Sequence, residues 1–327
     1  MNFFTRASAI FLTIALLSGC AKSKKTLVLA EVNPPDSVSG QMDLFFANEV
    51  KRLTEGEISI EVNCSSILGD ENAVIKEMMT TKKIDLARIS LFALTSIGSK
   101  KATVLTIPYL FNDREHFWRF AKSEMSSEIL DEFSSRPDGL KGLFLAEEGF
   151  RHFFSTRPLN SIEDLSGRKI RTTNDPILNE IIKDFDAEAI QVPFYDLLKE
   201  LIVGTIDTAE QPIVNYRSNY FDSAAPNVIL DGHTIGVTEV LITNKAWEEL
   251  TKPQQMALLK AGENASAYCR EICEKRETLV MESLKATGVN VVEVQDKTAW
   301  KDACAETIQK QAIKNTYLYG HIADMAN

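Results

Sequence analysis

The chain has 327 residues, with 36 Lys and Arg against 46 Asp and Glu and a formal net charge of −10 at pH 7. No basic block stands out, which argues against a nucleic-acid partner, because phosphate binding needs clustered Lys and Arg. The length suits two domains of ordinary size, and no tandem repeat, low-complexity tract or linker interrupts it.

At the start, Arg6 precedes an apolar run, residues 7–17, broken only by Ser8 and Thr13. The run is too short to cross a bilayer and reads as a secretory signal with a small-residue cleavage site. Leu17-Ser18-Gly19-Cys20 resembles the bacterial lipobox, which makes residues 1–19 a signal peptide and Cys20 the lipidated first residue. An ordinary signal peptide beside an incidental cysteine is the plainer alternative. Residues 20–25 then form the lipidated cysteine and a short polar tether, since two or more acyl chains hold a protein firmly to a membrane surface. Nothing later in the sequence is long and apolar enough to span.

Residues 26–32 read as a first strand, buried on both faces. Met42, Phe45, Phe46, Val50 and Leu53 recur at helical spacing up to Gly56. Ile58, Ile60 and Val62 alternate as in a strand. Asp70 is an N-cap for a helix through Met79, and residues 84–87 form another strand. Later strands are expected at 142–146, 169–172, 187–192, 227–230, 237–243 and 289–294. Thr251 caps a helix with Pro253 in its first turn; from there to Ala286 only Gly262 weakens it, so the helix is long enough to run across two domains. A C-terminal helix begins near Ala299. Strands alternating with helices predict an α/β fold with a parallel sheet covered on both faces.

Cys64, Cys269, Cys273 and Cys304 remain beyond Cys20. Cys269 and Cys273 share one helix face, a poor geometry for a bridge, and no His lies near them for a metal site. Buried small apolar residues are expected, with one long-range bridge involving Cys304 left open. His116, His152, His233 and His321 are scattered as structural histidines. No nucleophile elbow, dinucleotide fingerprint or Walker loop is present, so neither an enzyme nor a cofactor is expected.

Arg151 and Arg171 lie twenty residues apart, and Arg171 ends the strand-like run 167–171. A guanidinium is always charged and fits a carboxylate with two parallel hydrogen bonds, so the layout points to a site for a small organic acid. By spacing alone, Arg171 reads first as a strand-end surface residue, and the structural alternative for Arg151 is a partner of Glu147 or Glu148. Arg157 is expected to pair with Glu163 or Asp164. Asp207 and Glu210 are expected as turn residues.

Several segments then resemble one family in their order and spacing. They are Leu68-Gly69-Asp70-Glu71, Ile84-Asp85-Leu86-Ala87, Ile107-Pro108-Tyr109-Leu110-Phe111, Gly149-Phe150-Arg151-His152-Phe153, residues 162–171, residues 207–212, Asp231-Gly232-His233 and residues 244–250. Across the mature chain the sequence resembles the extracytoplasmic solute-binding subunit of a TRAP (tripartite ATP-independent periplasmic) transporter, in a lipoprotein form. The resemblance implies a two-lobed periplasmic-binding-protein-like fold with hinge strands and a long lobe-spanning helix. Lobe one would comprise 26–148 plus 237–276, and lobe two 149–236 plus 277–327.

The resemblance also implies capture of a carboxylate in the interlobe cleft and delivery to a membrane permease driven by an ion gradient. Arg171 would pair with the carboxylate, Arg151 would reach the ligand, and Phe194 would pack on it. Gln211 replaces a common Asn and Thr208 a common Gly, so the pocket floor and the turn before Gln211 are expected to differ. Tyr195 is a further pocket residue, and Glu31, Asp36, Ser37 and Asp85 align near cleft loops. Tyr109 is expected to shape the core beneath the cleft. The implied partners are the organic acid, the permease subunits, a helical-repeat lipoprotein in some systems, and the membrane through the lipid anchor. The implied location is the periplasm. A ligand-sensing receptor of the same fold is the alternative.

Overall fold

The computed structural model describes residues 24–173 and 175–326. The expected signal segment and Cys20 lie outside the described residues. Nine strands form one sheet: β1 (Lys25–Ala30), β2 (Ile58–Asn63), β3 (Leu86–Ser90), β4 (Leu140–Ser155), β5 (Lys169–Thr172), β6 (Glu188–Gln191), β7 (Thr208–Pro212), β8 (Asn227–Thr243) and β9 (Asn290–Glu293). The order is β2-β1-β3-β8-β4-β7-β5-β6, with β9 on β8.

The sheet is mixed, which corrects the expectation of a parallel one. β1 pairs in parallel with β2 and β3, and β5 with β6 and β7. Between these two groups, β3–β8, β8–β4 and β4–β7 are antiparallel. The reason is topological: β4 carries the chain from one group to the other, and β8 brings it back beside β4 in the opposite direction.

β8 is one strand of 17 residues, not the two separate strands expected at 227–230 and 237–243. β4 extends nine residues beyond the expected strand end at Ala146 and includes Glu147, Glu148 and Arg151. Its pairing with β8 slips between Glu147 and Phe150. Gly149 sits in that slip at φ +85°, a left-handed conformation that suits glycine and bends the strand. β7, in the segment expected to turn, is a fully buried strand.

Alternation places a core on each face of the sheet. Phe153, Ile229 and Leu241 face one, and Phe154, Val228 and Ile242 the other. The long helix spans Lys252–Ala286, and Thr251 and Gln254 close a capping box at its start. Gly262 lets it lie against β4, since a Cβ there would stand 2.5 Å from the Phe144 ring. The expected C-terminal helix is three, Thr298–Ala303, Ala305–Lys314 and Thr316–Asp324. Asn315 adopts φ −144°, which ends the second, and its side chain accepts from the Leu318 N–H at the start of the third.

Candidate functional site

The site lies where the ends of β3, β5 and β7 meet β4. Two small adjoining cavities open there, about 80 and 30 Å³, and Glu71, Arg171, Thr173 and Phe194 line both. Arg171 arrives from β5. It is 1% exposed, and its Nε–H donates to the Val192 carbonyl at 3.0 Å. Its Nη2 is buried with no hydrogen-bond partner among the described residues. Burial pulls its pKa down to about 10, with nearby Arg151 adding to the effect and Glu210 opposing it. It therefore stays charged at neutral pH.

Arg151 arrives from β4 and lines the smaller cavity. Its partner is Glu210 of β7, which accepts from Nη2 at 2.7 Å and also from Nε. This corrects the turn role expected of Glu210, and the alternative pairing of Arg151 with Glu147 or Glu148 does not form. Glu147 instead accepts from Arg114 Nε at 2.8 Å and from the Trp118 indole, and Glu148 accepts from Ser39 Oγ at 2.5 Å. The Arg151 guanidinium also lies 4.6 Å over the Phe92 ring.

A buried chain supports this pair from behind. His233 Nε2 stands 3.5 Å from Glu210, and its Nδ1 is 2.6 Å from Asp231. Burial pushes the His233 pKa down, but Asp231 and Glu210 outweigh it and raise it to about 9. Burial pushes Glu210 up, but Arg151 and His233 outweigh it and hold it at about 2.

The opposite wall is acidic. Arg88 of β3 places Nε 2.7 Å and Nη2 2.5 Å from Glu31, and Nη1 3.3 Å from Glu71. Glu71 also accepts from Ser90 N–H and Oγ. Glu71, Arg88, Glu148, Thr173 and Asn215 line the site and were not singled out as ligand residues from the sequence. Two carried a signal: Arg88 is a charge inside an apolar strand, and Asn215 a lone amide within Ile213-Val214-Asn215-Tyr216.

The other expected site residues divide. Gln211 and Phe194 line the smaller cavity, and Phe194 lines both. Tyr195 is 60% exposed and lines neither. Asp85 lies at the opposite end of β3, where it accepts from the Val28 N–H at 2.9 Å. Asp36 is exposed, and its carbonyl accepts from Gln41. Ser37 caps the helix Val38–Leu53, accepting from the Gly40 N–H. Tyr109 packs against the core beside His233, whose carbonyl accepts from its N–H.

Thr208 lies in β7, where its hydroxyl reaches Ser155 at 3.1 Å; the expected turn is a strand. Arg157 pairs with Asp207 at 2.7 Å, not with Glu163 or Asp164. Cys64, Cys269, Cys273 and Cys304 are all free and buried, so the bridge left open for Cys304 does not form.

The model of the bacterial extracellular solute-binding proteins, family 7, matches residues 29–315. The chain belongs to that family. Its structural neighbours are TRAP periplasmic solute-binding proteins. The one from Xanthobacter autotrophicus PY2, solved with β-D-galacturonate, matches with a TM-score of 0.86 at 28% identity, over 91% of this chain and 99% of that one. The one from Polaromonas sp. JS666, solved with D-erythronate, matches at 0.87 and 25% identity, over 92% and 98%. The 2,3-diketo-L-gulonate-binding periplasmic protein YiaO of Escherichia coli K12 is 26% identical over 272 residues, 83% of this chain and 81% of its own length. Structures of this fold are two-lobed, and the two groups of parallel strands joined by β4 and β8 accord with that architecture.

Proposed function

We propose that the protein captures a small organic acid between its lobes, with Arg171 holding the carboxylate. The observation that carries this is the Arg171 guanidinium, buried and charged, with Nη2 unpartnered among the described residues. A buried cation without an anion is costly, and a carboxylate that brings two charge-assisted hydrogen bonds removes the cost. Each such bond is worth roughly 1.5–3 kcal/mol. Gln211 adds hydrogen bonds, Phe194 covers the ligand's apolar part, and Arg151 shapes the site while held by Glu210. Family members solved with galacturonate and erythronate support a carboxylate ligand.

A ligand held between two lobes enters when they part and is enclosed when they close again. Gly149 in β4 and Gly236 in β8 mark the hinge, with lobes at 26–148 plus 237–276 and 149–236 plus 277–327. The mature chain is anchored at the periplasmic face of a membrane through Cys20, and it hands the acid unchanged to a TRAP permease. Replacing Cys20 by Ser is expected to move the protein from the membrane to the soluble fraction.

Titration calorimetry with organic acids tests the central claim. Lysine keeps the charge of Arg171 but loses the planar fork, so Arg171→Lys is expected to weaken binding at least tenfold, about 1.4 kcal/mol. Unchanged affinity would remove Arg171 from the ligand.

A further inference from the structure

We infer that the protein carries a second ligand site, apart from the cleft, for a small amphipathic anion with an apolar body and an anionic head. The site is a cavity of about 510 Å³ that shares no lining residue with the two cleft cavities. That volume falls within the range of about 300–1,000 Å³ usual for small-molecule sites. Its walls come from three distant stretches of chain. Val104 and Ile107, both almost fully buried, lie on the helix Lys100–Leu105 and just beyond it. Pro176 and Glu180 lie one turn apart on the helix Pro176–Asp184, and Gln311 and Lys314 on the helix Ala305–Lys314. Direct bonds brace these walls. Gln311 Nε2 donates to Glu180 at 2.9 Å, and Thr307 Oγ1 donates to Asp184 at 2.6 Å. The helix Thr316–Asp324 that follows is fixed by His116, whose Nε2 stands 2.7 Å from the Ile322 carbonyl.

The charge around the cavity selects the ligand. Lys100, Lys314 and Glu180 are its charged lining residues. Glu180 is already matched, with Lys310 Nζ 2.5 Å from one oxygen and Gln311 Nε2 on the other. Among the described residues, Lys314 Nζ meets only the neutral Gln311 amide oxygen, at 3.0 Å, and Lys100 Nζ meets no partner. Glu132, which also holds the Ser99 hydroxyl, is spent on the Lys100 and Lys101 N–H groups at 2.8 and 3.3 Å. Two unmatched ammonium groups attract an anion and repel a cation. Val104, Ile107 and Pro176 take the apolar body out of water, which adds to binding. An inorganic anion would gain only the first effect, and a neutral amphiphile only the second.

Two amphipathic anions, 1-anilinonaphthalene-8-sulfonate and octanoate, test this on the native protein. Fluorescence is expected to show one saturable site for the sulfonate. Octanoate should displace it, and octylammonium, of equal length and opposite charge, should not. Lys100→Glu combined with Lys314→Glu is expected to weaken the sulfonate about tenfold. Thr103→Trp, which fills the cavity from a half-buried lining position, is expected to remove the site. Circular dichroism checks that each variant folds. A separate cavity of similar volume is lined by Trp118, Phe144, Ala267 and Arg270, and Ala267→Trp there is expected to leave binding unchanged. Absence of saturable binding, displacement by octylammonium as well as by octanoate, undiminished affinity in the double lysine variant, or loss of the site in Ala267→Trp would each overturn the inference.

Discussion

The Thr95 hydroxyl and the Asp175 carboxyl meet in a hydrogen bond across 80 residues of sequence. Thr95 Oγ1 also lies 2.7 Å from the Phe92 carbonyl, so its single proton is shared between two acceptors. Burial raises Asp175 to about 6, against the lowering effect of Thr95 and the Leu178 and Ile177 N–H groups. Where closing completes the burial of Asp175, it takes up a proton between about pH 4 and 6. Ligand affinity is then expected to rise as pH falls from 7 to 5. Asp175→Asn keeps the helix cap and should flatten that dependence. Thr95→Val should weaken binding about fivefold, near 1 kcal/mol. Calorimetry at three pH values decides.

Glu210 and Arg151 are both almost fully buried, so removing one partner strands the other. Glu210→Gln is expected to cost about 3–5 kcal/mol in urea unfolding. Replacing both, with Arg151→Met and Glu210→Leu, should cost less than the single change. Simple additivity of the two single effects would show that the pair is not coupled.

His233 sets the alkaline limit of stability. The unfolded chain loses its imidazole proton near 6.5, whereas the folded protein keeps it to about 9. The folded state therefore holds the extra proton between these values, and stability falls as pH rises through that window. Urea midpoints at pH 6.5 and 8.5 should differ, with the lower pH more stable. His233→Gln should lower stability at pH 6.5 and narrow the difference.

Gly262 tests helix propensity against packing. In an exposed helix, Gly→Ala stabilises by about 1 kcal/mol. Here the added methyl would stand 2.5 Å from the Phe144 ring, so the helix or the ring must yield. Overpacking of this kind costs about 1–3 kcal/mol. Gly262→Ala is expected to lower the thermal midpoint, and Phe144→Leu in the same chain to restore part of the loss.

The long helix was legible in full because its signals are local: a Thr251 cap, Pro253 in the first turn and one glycine afterward. β4 and β8 were legible only in part. Glu147, Glu148 and Arg151 break the apolar pattern of β4, yet they are buried because Arg114, Ser39 and Glu210 reach them from distant parts of the chain. The polar segment at 207–212 hid a strand for the same reason. At the site, Arg171 stood out through the company of a family motif. Asn215 and Thr173 did not, since only the folded chain brings them to the wall of the smaller cavity.

β8 has a further consequence for biosynthesis. It fills the place between β3 and β4, so the sheet begun by the first 90 residues stays open until Thr243 has been made. The long helix that covers it is translated later still, ending at Ala286. A nascent chain of this design cannot close the β3–β8–β4 part of its sheet until about three quarters of its length has been synthesised.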